Sequence, residues 1–529
     1  MKRIICLSIA VIMLVSFVAA CATPTPQVVE KEVTRVVTEK ETVVVKEEVE
    51  KVVKEEVTKV VKEQVTKIVE KEVTATPRPP VTIKWLNFSQ EQIDFYADTE
   101  EVFQQEYPWI TVEMETLSQD DYDSTLPLMF QGGDAPDIFI FYHSAPVQEL
   151  LDREWIQPWD ETVLPPDFPD RFPNTFRLME PIFGIEGKLY GMPGPPAGGP
   201  YGHGYMWYNG AVFENAGLDP VEDVPKTWDE MLEVCRTIRE SGVYCLANPN
   251  SDVSQLHRIM IPMLAINGAD WQSRETGLYA MSSPEFTEVV EFLRKLYEED
   301  LAYPGNNSKE LCRAAVGAGQ AAIYFDGGWM SSVFPVSYGF SDPMAALPPA
   351  PDANGYRGKL AEGMDWAHYF LSSQCENPYE ATLFMEWMTR PDGWFASQYY
   401  ARGFGWLAYG RGDRYIVDPL QKMLIPLSEQ MRVIGPSAAM ECPDTLQSKA
   451  QQEVGNNQPI GDWDLVNDYL QNGGDWVAMA KELDDAKNEI FVAKLEEEKA
   501  AGLDVAPECW ANPDWDPTTD FDWSVYFEE

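Results

Sequence analysis

Residues 81–141 open with the letters VTIKWLNFSQ and close with GGDAPDIFIF, and this stretch decides the fold. In some segments apolar residues recur at every second position, which indicates strands. In others they recur at every third or fourth position, which indicates helices. Its last run, Ile138 to Phe141, is uninterrupted, which is typical of a parallel strand covered on both faces. The patterns predict strands at 82–86, 110–114 and 138–141, and helices at about 91–106 and 122–130. Because strands and helices alternate, we predict an α/β domain, with a kink where Pro127 interrupts the second helix.

Two later helices carry recognisable start signals. Thr227 and Glu230 form a capping box, which satisfies free backbone N–H groups at a helix start. Ser283 precedes Pro284, and proline is favoured at the first helical position. A Pro/Gly-rich run from Met192 to Pro200 separates these helices from the first α/β segment, which predicts a crossing between two parts of the body.

The charge of the chain is strongly negative and unevenly distributed. The 529 residues include 86 acidic and 40 basic side chains, and residues 1–80 are close to neutral. The acidic excess therefore lies in residues 81–529, which would repel nucleic-acid phosphates. We expect no nucleic-acid partner.

The N-terminus has the features of an export signal. Lys2 and Arg3 precede an apolar run from Ile4 to Ala20, which is short for a membrane span. The run ends in Val18-Ala19-Ala20-Cys21, which resembles a bacterial lipobox. We therefore predict that residues 1–21 form a lipoprotein signal and that Cys21 becomes lipidated, placing the protein on the outer face of the cytoplasmic membrane. The alternative is an ordinary signal peptide or an uncleaved anchor.

Residues 22–80 form a low-complexity segment of valine, lysine and glutamate with an eight-residue repeat. Such a segment cannot bury a core by itself, so we interpret it as a stalk or linker, helical or extended. A coiled-coil oligomer is the alternative. The run from Ala75 to Pro80 ends the repeat.

Six cysteines remain beyond the signal: Cys235, Cys245, Cys312, Cys375, Cys442 and Cys509. In an exported chain they allow up to three disulfides, with 15 pairings open. Cys235 and Cys245 are the nearest pair and the favoured one. Buried free thiols are the alternative.

Several short motifs occur in the order found in one family. They are Phe130–Ile138 (FQGGDAPDI), Gly187–Pro193 (GKLYGMP), Trp207–Asn209 (WYN), Phe213–Leu218 (FENAGL), Pro225–Glu230 (PKTWDE), Gly317–Ala322 (GAGQAA) and Gly327–Trp329 (GGW). Together, from about residue 81 to 490, they resemble the extracellular solute-binding proteins of ABC importers, the family that includes maltose-binding proteins. Ile323 departs from the methionine usual in the family, and the acidic end after about residue 500 falls outside the resemblance.

The resemblance implies a two-lobed periplasmic-binding-protein-like fold of type II, with hinge strands and a ligand closed between the lobes. It places lobe one at about 81–195 and 363–405, and lobe two at about 200–362 and 406–510. It implies capture of a solute, a mono- or oligosaccharide, for ABC permease subunits, without catalysis or a cofactor. The aspartate-rich residues 511–529 are interpreted from their composition as an acidic tail.

A sugar needs an aromatic platform and a few directed donors and acceptors. In open α/β sheets such groups lie beyond the carboxyl ends of strands. Loops in those positions contain our candidate ligand contacts: Asn87, Phe88, Gln90, Tyr142, His143, Asp326, Trp329, Glu362, Trp366 and Arg402.

Other interpretations remain open at this stage. His203, His257 and His368 lack the spacing of metal ligands, and we expect no metal site. The aspartates of the tail suggest a calcium loop, but they lack the glycine and glutamate of an EF-hand, and a solvated tail is favoured. A polyamine or glycerol phosphate ligand, a sensing role, and a secreted glycoside hydrolase are the functional alternatives.

Overall fold

The computed structural model describes residues 78–88, 92–117, 119–141, 147–172, 182–193, 202–362, 367–404 and 412–526. The predicted signal with Cys21, the stalk up to residue 77, and the candidates Gln90, Tyr142, His143 and Trp366 lie outside the described residues. The chain divides after Arg78, and every element below belongs to Pro79–Glu529.

The strands, in chain order, are β1 (Val81–Asn87), β2 (Ile110–Thr116), β3 (Ile138–Ile140), β4 (Ile156–Gln157), β5 (Gly184–Ile185), β6 (Lys188–Leu189), β7 (Gly191–Pro193), β8 (Tyr205–Asn209), β9 (Tyr244–Leu246), β10 (Ala321–Asp326), β11 (Pro343–Ala346), β12 (Leu360–Glu362), β13 (Ala367–Ser372) and β14 (Arg432–Ile434).

The α-helices are α1 (Ile93–Glu106), α2 (Gln119–Gly132), α3 (Val147–Asp152), α4 (Gly210–Asn215), α5 (Trp228–Glu240), α6 (His257–Ile266), α7 (Pro284–Glu298), α8 (Lys309–Gly317), α9 (Met330–Tyr338), α10 (Pro378–Met388), α11 (Trp394–Ala401), α12 (Pro419–Met431), α13 (Ala438–Glu441), α14 (Ala450–Asn457), α15 (Asp462–Asn472) and α16 (Trp476–Ala501). Short 3₁₀ segments occur at Phe168–Arg171, Val253–Leu256, Gly412–Tyr415, Pro443–Leu446, Pro507–Trp510 and Trp523–Tyr526.

Lobe one is built on a sheet with the strand order β2-β1-β3-β13-β4, to which β7 adds by pairing with β13. Strands β2, β1 and β3 are parallel, whereas β13 enters antiparallel between β3 and β4. The predicted α/β order of residues 81–141 is thus confirmed. The sheet is completed by a strand that follows β3 by more than 220 residues.

Lobe two is built on a four-stranded sheet with the order β11-β8-β10-β9. Its central strand β10 is buried at every position, and it pairs antiparallel with β8 and parallel with β9. The carboxyl ends of β9 and β10 and the start of β8 therefore lie at one edge of this sheet.

The helices around this sheet begin where the sequence predicts. Thr227 caps α5 by accepting a hydrogen bond from the Glu230 N–H, and Ser283 caps α7 in the same way. The carboxylate of Glu230 accepts a hydrogen bond from the Lys226 N–H at 2.7 Å, one residue before the usual capping-box donor.

In lobe one, helix α2 contains Pro127 and continues past this proline, from Gln119 to Gly132.

The connection between the lobes includes two short parallel strands, β12 and β14, which pair from Leu360↔Arg432 to Glu362↔Ile434. Helix α12 precedes β14 and touches both hydrophobic cores, because Leu424 packs in the core of lobe two and Ile425 against that of lobe one. We call β12 and β14 the hinge strands.

The predicted lobe limits stay a proposal, and the packing shifts one of them. Ile416 and Ala439 belong to the core of lobe one, although the predicted limits assign residues 406–510 to lobe two. Their apolar side chains are almost completely buried there. Lobe one therefore extends at least to Ile416, and the chain returns to it at Ala439, after α12 and before α14.

The cysteines form two disulfides among the described residues, Cys235–Cys245 and Cys442–Cys509. The first is the pairing that the sequence favoured. The second joins residues 67 positions apart, which sequence spacing could not identify. Cys312 and Cys375 are free and buried.

Among the described residues no helix has both the length and the apolar character that a membrane span requires.

Candidate ligand site at the hinge edge of lobe two

A group of aromatic and basic side chains meets at the edge of the lobe-two sheet that adjoins the hinge. Strand β10 ends at Asp326, opposite Tyr205 at the start of β8. His203 lies two residues before β8, and the Arg432 guanidinium of hinge strand β14 donates to the His203 carbonyl oxygen. His257 begins α6. The topology thus gathers residues that are far apart in sequence.

Trp329 is the aromatic centre of this group and is only partly buried. Its ring contacts the His203 ring edge-on, with 4.6 Å between the centroids. The guanidinium carbon of Arg258 lies 5.9 Å from the indole centroid. His203 in turn meets His257 at 4.8 Å.

Gly327 makes the position of Trp329 possible. A Cβ at Gly327 would lie 2.2 Å from Cζ3 of the Trp329 ring, so only glycine leaves room for the indole. The turn is held by the Trp207 indole N–H, which donates to the Gly327 carbonyl at 3.1 Å, and by the Gly328 N–H, which donates to Gly202 at 3.1 Å.

Replacing Gly327 by alanine is expected to displace the Trp329 indole. The change should alter the near-UV circular dichroism of the protein, because the indole leaves its packed position against glycine. Gly455→Ala is the matched control, since a Cβ at Gly455 meets nothing within 4 Å and alanine suits a helix. Unchanged near-UV spectra for both variants would contradict this account of the turn.

Beneath Trp329 lies a buried ion-pair network. The carboxylate of Asp326 is 0% exposed and pairs with the guanidinium groups of Arg258 and Arg313. The Arg313 contact measures 2.7 Å between Nη2 and Oδ2. Burial alone would raise the pKa of Asp326, but the two arginines outweigh it and hold the pKa well below its usual range.

The two histidines are uncharged at neutral pH. Burial, together with electrostatic interactions with the His257 ring and the guanidinium groups of Arg258 and Arg432, lowers the pKa of His203 to about 3, against the opposing effect of Asp326. Burial and Arg258 also lower the pKa of His257, against the opposing effects of the Ser254 carbonyl, Asp326 and Asp252.

The hydrogen bonds of the histidines leave acceptor capacity. The His257 Nδ1 lies 2.7 Å from the Ser254 carbonyl oxygen, so in the neutral ring Nδ1 carries the proton and Nε2 is an acceptor. The buried Nδ1 of His203 has no hydrogen-bond partner among the described residues. His257 Nε2 can therefore accept a hydrogen bond from a hydroxyl group, whereas His203 Nδ1 is enclosed within the protein.

The low pKa of His203 predicts a pH dependence of stability. The unfolded chain binds a proton on this ring below pH 6.5 and the folded chain only near pH 3, so the free energy of unfolding should fall as the pH drops through that window. For His203→Gln the slope should be less steep by as much as about 1.4 kcal/mol per pH unit. Urea unfolding of both proteins between pH 4.5 and 7.5 measures the difference, and parallel slopes would refute the prediction.

Three of the predicted contacts, which stay predictions, are bonded to other parts of the protein. Asn87 is 3% exposed and bonds inside lobe one, where its Nδ2 lies 2.6 Å from the Tyr96 hydroxyl. Asp326 is enclosed by its arginines and supports the site from below. Arg402 pairs with Asp98 of α1 and lies over the Phe95 ring, so its guanidinium is already engaged within lobe one.

The other candidates remain predictions. Phe88 is partly buried against Tyr122, with 5.9 Å between the ring centroids. Glu362 ends hinge strand β12, and its side chain lies outside the described residues. Sequence reasoning missed His203, His257 and Arg258 as site residues, because nothing in their local sequence marks the edge at which they meet.

The sequence is similar to a family of extracellular binding proteins and to two of its curated relatives. Residues 89–393 match the family described as bacterial extracellular solute-binding protein. An uncharacterised ABC transporter extracellular-binding protein of Pyrococcus horikoshii is 26% identical over 270 residues, which cover 48% of this chain and 58% of that protein. A diacetylchitobiose binding protein of Streptomyces coelicolor is 24% identical over 135 residues, 24% of this chain and 28% of that protein.

The matched regions thus span little more than half of one curated relative and less than a third of the other. Among solved structures, an ABC substrate-binding protein of Listeria monocytogenes in complex with cycloalternan superposes with a TM-score of 0.58 and 16% identity, over 78% of this chain and 98% of that one. At this identity the likeness concerns the fold, and it confirms the two-lobed type II architecture.

Proposed function

Since the chain belongs to the bacterial extracellular solute-binding protein family, we propose that it captures a carbohydrate between its two lobes and presents it to an ABC permease. In this proposal the protein binds the carbohydrate and delivers it to the permease without changing it chemically. It agrees with the names of the relatives, one of which is an ABC transporter extracellular-binding protein.

One observation carries the choice of carbohydrate: the partly exposed indole of Trp329 beside two neutral imidazoles at the hinge edge. A sugar ring has an apolar face that stacks on an indole and a rim of hydroxyls that need acceptors. His257 Nε2 supplies an acceptor next to the platform. The diacetylchitobiose binding protein and the solved structure in complex with cycloalternan support the same ligand class.

The charges near the platform disfavour a polyamine. Arg258 and Arg313 outnumber the single carboxylate of Asp326 in the buried network, and the two histidines add no negative charge. The buried network is therefore net positive, and a cationic ligand would meet that charge next to the platform.

We assign the remaining ligand contacts to lobe one and the hinge. Phe88 follows β1 and Glu362 ends β12, and the sequence places the other predicted contacts after strands of lobe one or the hinge: Gln90, Tyr142, His143 and Trp366. They would close on the exposed face of a sugar that rests on Trp329.

We further propose that the protein is held outside the cytoplasmic membrane by a lipid on Cys21. The support is the lipobox-like sequence Val18 to Cys21 after a charged and apolar leader. Residues 22–80 would then act as a stalk that allows the binding lobes to reach the permease; a helix of that length would span on the order of 90 Å.

A ligand screen tests the proposal. The thermal midpoint of the purified protein is measured against linear and cyclic glucose oligosaccharides, chitobiose derivatives, monosaccharides, polyamines and glycerol phosphate. A true ligand at 100 times its Kd adds about 2.7 kcal/mol to the free energy of unfolding. A shift with one saccharide class is the expected result. A shift with glycerol phosphate or a polyamine alone would retain the binding role and overturn the carbohydrate assignment.

A further inference from the structure

The C-terminal segment 507–526 lies outside the residues that match the family and makes specific contacts with the rest of the protein. It begins with a 3₁₀ turn, Pro507–Trp510, and continues through an aspartate-rich stretch. Its backbone and side chains bond to lobe two at one end and to the hinge at the other. We call this segment the clasp.

The first attachment joins the clasp to lobe two. The Asn512 N–H donates to the Arg274 carbonyl at 2.7 Å, and the Arg274 guanidinium carbon lies 5.6 Å from the centroid of the Trp515 ring. Gly277 touches Pro507 so closely that a Cβ there would lie 1.8 Å from the Pro507 carbonyl oxygen. The approach of the clasp to lobe two thus depends on a glycine.

The second attachment joins the clasp to both hinge strands. At the end of β14, the Ile434 N–H donates to the Asp520 carboxylate at 2.9 Å, and the Ile434 carbonyl accepts from the Phe521 N–H at 2.8 Å. Immediately before β12, the Lys359 N–H donates to the Pro517 carbonyl at 2.9 Å. Each hinge strand is therefore bonded to the same short segment.

A disulfide holds the start of the clasp. Cys509 is bonded to Cys442, three residues beyond Ala439, whose side chain is buried in the core of lobe one. Trp510 packs beside Phe491 of α16, with 5.2 Å between ring centroids. The start of the clasp is therefore attached on one side to the segment that follows Ala439 and on the other side to helix α16.

We propose that the clasp restrains the hinge and limits how far the two lobes rotate relative to each other. Hinge motion requires changes of the backbone dihedral angles at a few residues of the connecting strands. Hydrogen bonds from a segment anchored on lobe two oppose such changes at Ile434 and Lys359. The clasp would thereby set the range of lobe separations that the ligand-free protein samples.

The test measures lobe separation without ligand, so it does not depend on which solute is bound. Spin labels are placed on Ile93→Cys in lobe one and Val221→Cys in lobe two, two exposed positions; the free cysteines Cys312 and Cys375 are buried. Distance distributions are compared for the parent protein, for a chain ending after Trp510, and for Asp520→Ala. The truncated chain retains the Cys442–Cys509 disulfide.

We expect a broader distribution of distances for the truncated chain and, to a smaller degree, for Asp520→Ala. The Ile434 amide should exchange about 2- to 10-fold faster in Asp520→Ala, since one hydrogen bond to it is lost. Asp522→Ala is the matched control, because Asp522 caps only the neighbouring turn through Ser524.

Unchanged distributions in the truncated chain and in Asp520→Ala would overturn the proposal. If the truncated chain does not fold, the comparison of Asp520→Ala with Asp522→Ala decides, and equal distance distributions for the two would also overturn it. Failure of the ligand screen would leave this outcome unaffected.

Discussion

Replacing Asp326 by asparagine is expected to lower the free energy of unfolding by about 3–5 kcal/mol. The change preserves the shape of the side chain but leaves the buried guanidinium groups of Arg258 and Arg313 without their shared carboxylate. An unpaired buried charge costs that much because the interior cannot solvate it as water does. Equilibrium chemical denaturation at neutral pH measures the loss.

Asp300→Asn is the matched control for this prediction. Asp300 also pairs with an arginine of lobe two, Arg239, but its side chain is 68% exposed, so its loss should cost less than about 1 kcal/mol. Equal losses for the two variants would show that the Asp326 carboxylate does not neutralise the network.

The pH dependence of the Asp326 effect follows from its lowered pKa. The contribution of the carboxylate is present above the ordinary aspartate pKa of 3.8 and disappears as the pH falls through the lower pKa of the folded protein. The difference between the parent protein and Asp326→Asn should therefore persist from neutral pH down to about 4.

Replacing Trp329 by alanine is expected to raise the Kd for the saccharide found in the screen by about 30-fold or more. Truncating a central aromatic contact typically costs at least about 2 kcal/mol of binding free energy. Here the change also removes the ring against which His203 packs. Isothermal titration calorimetry with the identified ligand measures the change.

Trp463→Ala provides the control for binding. Trp463 is also a partly buried tryptophan, but it packs on Trp271 with 4.7 Å between ring centroids, apart from the hinge-edge group. Its loss should leave the Kd unchanged. A Kd that is the same for Trp329→Ala and the parent protein would exclude Trp329 as the platform.

Much of the fold follows from local patterns in the sequence. The strand at Ile138–Ile140, the caps at Thr227 and Ser283, and the proline at the start of α7 all act over a few residues. Side-chain periodicity and capping depend on neighbouring positions, so they can be read without knowing the rest of the structure.

The candidate site was predictable only where a local signal coincided with a strand end. Trp329 follows β10 and a Gly-Gly pair, and the structure leaves it partly exposed at the hinge edge. Asn87 and Asp326 also stand at strand ends, yet one is bonded inside lobe one and the other lies between two arginines. A position at a strand end predicts that the residue lies at the edge of the sheet. Whether its side chain is buried depends on neighbours that are distant in sequence.

By itself the sequence determined the α/β class, the acidic charge and the order of the family motifs, and it singled out Trp329 as a candidate ligand contact. Only the tertiary structure decided that β13 enters between β3 and β4, that His203 meets His257 across 54 residues, and that Cys509 bonds to Cys442. These pairings join segments whose separation along the chain carries no information about their contact. They are selected by the packing and hydrogen bonding of the whole fold, which also brings the C-terminal segment onto the hinge.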